Sequence, residues 1–300
     1  MTEARCALVS AEQQEPLLGT APEASALLLV EVRGPWAAKI LESDLPTPVR
    51  VFLAAEEARQ AGLRLQFIRA PRRTQGPIAV YLCRVGGGVS RLELAGLDDL
   101  PSVDVGAWLR RGTHPGAHAV SDALTLVCTH GRRDVCCALL GNALYDALVC
   151  VGPARDGGEL PTVWQTSHLG GHRFAPVVLS LPDGHCYGRV APAEASAFLA
   201  AQAARRVHDP ARLRGCTKDP VWLQAAAVAL RLETDERDFD ALLPGATTQA
   251  VGDGQHVTLV TRNGTVRLEL TQETHADRLR PASCGDAPSP TVLWRATLAS

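Results

Sequence analysis

The stretch LVCTHGRRDVCC (residues 126–137), followed by a helical run and then VWQTSHLGGHRFA (residues 163–175), organises the chain. Leu124 to Val127 is an apolar, strand-like run that delivers Cys128 to its end. Asp134 stands where a helix N-cap is expected, because its carboxylate can accept from backbone N–H groups of a first turn that holds Cys136 and Cys137. The helix reads CALLGNALYDALV, with Leu140, Leu144, Ala147 and Leu148 spaced to line one face. TVWQTSH then brings in His168 and, across Leu-Gly-Gly, His172. Two thiols and two imidazoles thereby meet at strand and helix ends, a possible Cys2His2 set.

The same order of elements occurs earlier in the chain. ALLLVEVRG (residues 26–34) beside ALTLVCTHG (residues 123–131) shares Ala26/Ala123, Leu27/Leu124, Leu29/Leu126, Val30/Val127 and Gly34/Gly131. Both copies continue with helix, strand and a hairpin, IAVYLCRV in the first and APVVLSLP in the second. A duplicated βαββ unit of thioredoxin-like, α/β type is expected. Where the second copy has Cys128 and His168, the first has Glu31 and Arg69, so only the second copy can carry a soft-metal site. Gly86-Gly87-Gly88 joins two strands with no helix after it, which makes it a turn and not a phosphate loop. Pro192 and Pro220 open two further helices, and HVTLVTR-NG-TVRLEL is a hairpin around Asn263-Gly264. Cys284, in RPASCG, is expected to be a packed thiol.

Composition excludes several classes. The chain has 300 residues, 46% hydrophobic and 21% charged, as folded globular proteins have. A formal net charge of -2 with no Lys/Arg-rich block beside aromatics gives no reason to expect nucleic acid. The N-terminus MTEARCALVSAEQQEP is unlike a signal peptide, and no apolar run is long enough to span a bilayer, so a cytoplasmic protein without membrane segments is expected. Nine cysteines, an odd count, then fit reduced thiols and a metal or redox site better than a disulfide framework.

Cys128 to Cys137 is a C-x8-C spacing and His168 to His172 is H-x3-H, with Gly170-Gly171 arguing for a loop that turns the two rings toward one point. Zinc or iron could accept these ligands, and spacing alone does not choose. Vicinal Cys136-Cys137 is not the C-x-x-C of thiol redox proteins. A cysteine phosphatase loop needs arginine six positions after the nucleophile, where this chain has Asp134.

CTHGRRDVCC followed by SHLGGHRFAPVVLSLPDG closely resembles the sucrase/ferredoxin-like family, from GPW at Trp36 through the helix ending near Glu233. The resemblance implies a thioredoxin-like ferredoxin with one [2Fe-2S] cluster held by Cys128, Cys137, His168 and His172, with Cys136 the alternative ligand. It further implies electron transfer with a redox partner protein such as a reductase. No carboxylate pair is set for sugar cleavage, so sucrase activity is not expected. Imidazole ligands would raise the potential and couple reduction to proton uptake. The competing readings are a structural zinc module for protein interaction and a thiol-dependent oxidoreductase. The expected organisation is a loose leader (1–24), an N-terminal unit without cluster ligands (25–119), the ferredoxin unit with C-terminal helices (120–243), and a β-hairpin extension (244–300).

Overall fold

The computed structural model describes residues 5–152, 162–252 and 254–298. In chain order it begins with α1 (Cys6–Glu12), β1 (Ala26–Glu31), α2 (Thr47–Arg59), β2 (Leu63–Arg69), β3 (Ile78–Arg84), β4 (Gly88–Leu94), α3 (Val105–Arg111) and β5 (His118–Val120). Next come β6 (Leu124–Cys128), α4 (Val135–Val151), β7 (Val163–Thr166), β8 (Val177–Leu181), β9 (His185–Gly188), α5 (Ala195–Ala203), β10 (Leu213–Cys216) and α6 (Val221–Thr234). Strands β11 (Leu242–Val251), β12 (Gly254–Thr261), β13 (Gly264–Arg280) and β14 (Ser289–Leu298) complete the chain.

The architecture is mixed α/β, with a ten-stranded sheet in the order β10-β9-β8-β6-β7-β2-β1-β3-β4-β5 and a separate four-stranded sheet. Within the large sheet one strand arrangement occurs twice. β1 pairs parallel with β2 and antiparallel with β3, which pairs with β4; β6 pairs parallel with β7 and antiparallel with β8, which pairs with β9. The halves are not separate layers: β2 and β7 pair antiparallel through Ile68↔Thr166 and Arg69↔Gln165, closing one continuous sheet.

Burial explains the apolar runs. Every residue of β1 and β6 is buried, as expected for strands covered on both faces. Leu27, Leu29, Tyr81, Leu126, Trp164 and Leu179 form one cluster that crosses the β2–β7 seam and includes Cys128 and Cys137. The alternating residues Leu28, Val30 and Phe67 pack with Val49, Leu53 and Trp108 of α2 and α3, while Val127 and Tyr187 pack with Leu144, Leu148 and Phe198 of α4 and α5.

Two expectations about the ends of the chain are corrected. Residues 5–24 are not loose: Cys6, Ala7, Ser10, Glu15 and Leu17 are buried. Glu15 explains how so polar a segment can be packed, since it accepts from Ser10 Oγ at 2.6 Å, Arg173 Nε at 2.9 Å and Arg280 Nε at 3.2 Å. The C-terminal part is more than a hairpin, because β11 and β14 flank β12 and β13 in a four-stranded antiparallel sheet. That sheet packs on α6 through Val257, Leu259, Leu268 and Leu270.

Candidate metal centre

Strand β6 ends at Cys128 and the chain enters α4 through Asp134, whose Oδ1 accepts from Cys136 N at 2.8 Å. This N-cap fixes the first turn of α4 over the end of β6. The two elements touch where Gly141 faces the strand: a Cβ there would lie 2.0 Å from the Cys128 carbonyl oxygen. Gly141 therefore permits the approach that brings Cys137 to Cys128.

The histidines arrive on the loop after β7. Gly170 (φ +89°) and Gly171 (φ +70°) turn the chain through the left-handed region, which favours residues without a Cβ. Buried Arg214 holds this turn, donating to Gly170 O at 2.9 Å and to the Thr20 carbonyl. The rings of His168 and His172 face each other with centroids 4.9 Å apart and a 32° tilt.

Cys128 Sγ, Cys137 Sγ and a ring nitrogen of His168 lie within 4.8 Å of one another. His172 joins through its contact with His168 and is otherwise turned toward Asp134, with Nε2 3.9 Å from Oδ2. Nδ1 of both rings is buried with no hydrogen-bond partner, an expense that a ligand on those nitrogens would remove. Two buried thiols and two such imidazoles form a donor set that fits iron or zinc.

Electrostatics distinguish the two thiols. The Cys137 thiol, acting as hydrogen-bond donor, pushes Cys128 well below the ordinary thiol range against the opposing effect of burial, and His168 adds to the shift. Cys137 is held up by the same hydrogen bond and by burial. A thiolate at Cys128 is the form a metal needs. Burial lowers the pKa of His172 and so favours the neutral, ligating ring.

Cys136 does not face this group. Its sulfur lies 3.8 Å from Cys6 Sγ and 3.4 Å from Cys284 Sγ. These three cysteines and Asp134 form a second cluster of metal-competent side chains. The hydrogen bond from Cys6 brings Cys136 down to about 6, with help from the Ala7 N–H and Cys284, against burial. Asp134 is opposed by burial but held below the ordinary carboxylate range by the N–H groups of Cys284 and Cys136 and by His172. Sequence reasoning missed Cys6 and took Cys284 for a packed thiol. The odd cysteine count was the signal available, and it does not say which cysteines meet.

The first half has different chemistry at the corresponding strand end. Glu31 is fully buried, paired with Arg33 Nε at 2.8 Å and Arg73 Nε at 3.1 Å, and accepts from Ala79 N at 2.9 Å. Arg69 donates to Gln165 and covers the Trp36 ring at 4.3 Å. Arg173, next to His172 in the chain, is committed to Glu15. Beside His168 a cleft of about 420 Å³ is bordered by Arg64, Arg133, His130, Glu23 and Glu57.

Fold and site define a mixed α/β protein whose ten-stranded sheet carries a group of soft, metal-competent side chains at one strand end. The chain belongs to the sucrase/ferredoxin-like family, which matches it over residues 17–215. A similar curated protein is Altered inheritance of mitochondria protein 32 of Meyerozyma guilliermondii, 31% identical over 83 residues. That match spans 27% of this chain and 29% of the relative, less than a third of either. No solved structure matches the chain. Among the described residues, no helix is long and apolar enough to cross a membrane.

Proposed function

We propose that this chain is an electron-transfer protein with one [2Fe-2S] cluster held by Cys128, Cys137, His168 and His172. The observation that carries the reading is the group of two buried thiols, one of them lowered in pKa, and the His168 ring, against which the His172 ring lies, with Nδ1 of both rings lacking a partner. When bound, such a cluster supplies a one-electron couple, and replacing two thiolates by neutral imidazoles raises its potential toward the roughly -150 to +300 mV of Rieske centres. The repeated β-α-β-β-β order supports a thioredoxin-like reading of each half. The ion-paired Glu31 in the first half supports a single cluster per chain.

The protein's own residues do the rest. Asp134 holds the start of α4 and faces His172 Nε2, as carboxylates orient ligating histidines in other metal sites. His168, half-buried at the cleft, is the donor nearest solvent and the place for a redox partner protein such as a reductase to approach. An imidazole ligand at the cleft supports proton-coupled reduction.

One observation favours a second reading: Cys128, Cys137 and His168 are close enough to bind a single zinc ion, as in a structural module. Iron, sulfide and visible absorption of anaerobically purified protein decide between them. The expected result is a coloured protein with about two iron atoms and matching sulfide per chain. Colourless protein without iron would overturn the electron-transfer reading.

A further inference from the structure

The second cysteine cluster has no part in the proposed electron-transfer site, and its geometry defines a ligand of its own. Cys6 is the first residue of α1, Cys136 lies in the first turn of α4, and Cys284 sits between β13 and β14. Their sulfurs form a triangle with sides of 3.4 Å (Cys136–Cys284), 3.6 Å (Cys284–Cys6) and 3.8 Å (Cys6–Cys136). In a tetrahedral zinc site with Zn–S bonds near 2.3 Å, two sulfurs stand about 3.8 Å apart. A carboxylate oxygen at about 2.1 Å from the same ion stands about 3.6 Å from each sulfur. Asp134 Oδ1 lies 3.4 Å from Cys284 Sγ and 3.8 Å from Cys6 Sγ.

We propose that Cys6, Cys136, Cys284 and Asp134 bind one zinc ion, separate from the group formed by Cys128, Cys137, His168 and His172. The spacing selects a single ion, because thiolates bound to different metals of a cluster stand farther apart than these. It also differs from a disulfide, whose sulfurs bond at about 2.05 Å and whose formation would leave the third cysteine unpaired. Binding displaces whatever thiol protons remain and involves no change of oxidation state.

The surroundings are arranged as those of a metal site. Asp134 Oδ2 accepts from Cys284 N at 2.9 Å and Ser283 Oγ at 3.0 Å, and Oδ1 from Cys136 N at 2.8 Å. The carboxylate thus positions two of the three cysteines while leaving lone pairs for an ion. Backbone N–H groups address the sulfurs directly, Ala7 to Cys136 and Cys6 to Cys284. Cys6, Cys136 and Asp134 are buried, and among the described residues no Lys or Arg lies within ion-pair distance of Asp134. A buried carboxylate beside three thiols is a donor set suited to a divalent cation. The bound ion clips α1 and the β13–β14 loop onto the start of α4, beside His172.

The test is elemental analysis of the full chain, purified anaerobically without added metal, alongside Cys6→Ser, Cys284→Ser and Cys128→Ser. Unmodified protein and Cys128→Ser should each hold about one zinc per chain, while Cys6→Ser and Cys284→Ser lose at least about tenfold. Far-UV circular dichroism confirms folding of each variant, and Co²⁺ added to metal-stripped unmodified protein gives a second readout as thiolate-to-cobalt charge-transfer absorption. Zinc undiminished in Cys6→Ser and Cys284→Ser, zinc below about one per chain in Cys128→Ser, or absence of the cobalt spectrum overturns the proposal. A disulfide among Cys6, Cys136 and Cys284 in the anaerobic protein does the same. Iron measured in the same samples reports on the other site, so zinc without iron would sink the electron-transfer reading and leave this one standing.

Discussion

Gly141→Ala is the sharpest probe of how the fold builds the Cys128–Cys137 pair. A Cβ at this position would sit 2.0 Å from the Cys128 carbonyl oxygen and 3.1 Å from its carbon. Ordinary contact begins at about 3.4 Å, so α4 and β6 must part by about 1.4 Å. The obstacle is backbone, which cannot escape by changing rotamer. Overpacking of this kind costs about 1–3 kcal/mol, and here the upper end applies. Against it stands the gain of about 1 kcal/mol from replacing glycine by alanine inside a helix. A net loss of about 2 kcal/mol is expected, or about a thirtyfold fall in the folded-to-unfolded ratio.

The functional consequence exceeds the thermodynamic one. Metal sites tolerate ligand displacements of about 0.2 Å, far less than the expected separation of helix and strand. Gly141→Ala should therefore lose most of its iron while remaining folded. Urea denaturation followed by circular dichroism measures the first effect, and iron per chain the second. Ala143→Gly, at an exposed position of the same helix, is the control: it should cost about 1 kcal/mol and keep its iron. A Gly141→Ala protein as stable as the unmodified chain and with full iron would refute the claim that this contact sets the cysteine pair.

Three further outcomes are expected. Cys128→Ser and Cys137→Ser should each abolish iron binding while Cys136→Ser retains most of it, since Cys136 faces Cys6 and Cys284; the reverse pattern in iron analysis would reassign the ligand. The midpoint potential should be flat at low pH and fall at up to about 59 mV per unit above the oxidised-state pKa of a bound imidazole, with His168→Cys lowering both potential and slope; film voltammetry showing a pH-independent potential would remove that coupling. His185, stacked on Phe239 at 4.2 Å, is lowered by burial and then by Arg231 to about 3. Between there and the ordinary value near 6.5 the unfolded chain takes up a proton that the folded one refuses, so stability falls as pH drops, by up to about 1.4 kcal/mol per unit. His185→Phe should flatten that slope in urea midpoints measured from pH 7 to 4, and an unchanged slope would count against the assignment.

The local elements were legible because each carried its own signal. Apolar runs gave β1 and β6, Asp134 gave the start of α4, and Asn263-Gly264 gave the β12–β13 hairpin. The matching residues around Leu27 and Leu124 gave the repeated strand order. Lateral relationships were not legible. Only two residue pairs join β2 to β7, and periodicity along a strand says nothing about which strand lies beside it. Residues 5–24 read as loose because their polar side chains are conspicuous, whereas the ion pairs that bury Glu15 come from Arg173 and Arg280, far along the chain. The C-x8-C and H-x3-H spacings could be read because all four residues lie within one strand-helix-strand passage and the loop after it, and the structure brings Cys128, Cys137 and His168 together. Cys6 and Cys284 lie 130 and 148 positions from Cys136, beyond the reach of any spacing rule.

The Cys136-Cys137 dipeptide is where the two sites separate, and helix geometry explains why. Successive residues of a helix point about 100° apart, so neighbouring thiols in the first turn of α4 cannot both address one ion at its side. Cys137 turns in toward Cys128 and the sheet, while Cys136 turns toward α1 and the β13–β14 loop. Asp134 stands between them. One of its oxygens accepts from Cys136 N, the other from Cys284 N, and that second oxygen also faces His172. A single cap thus positions helix α4 and Cys284 while meeting a histidine of the other site. Charge placed on or removed from one group acts on the other through this buried carboxylate at close range, where electrostatic interactions are strongest.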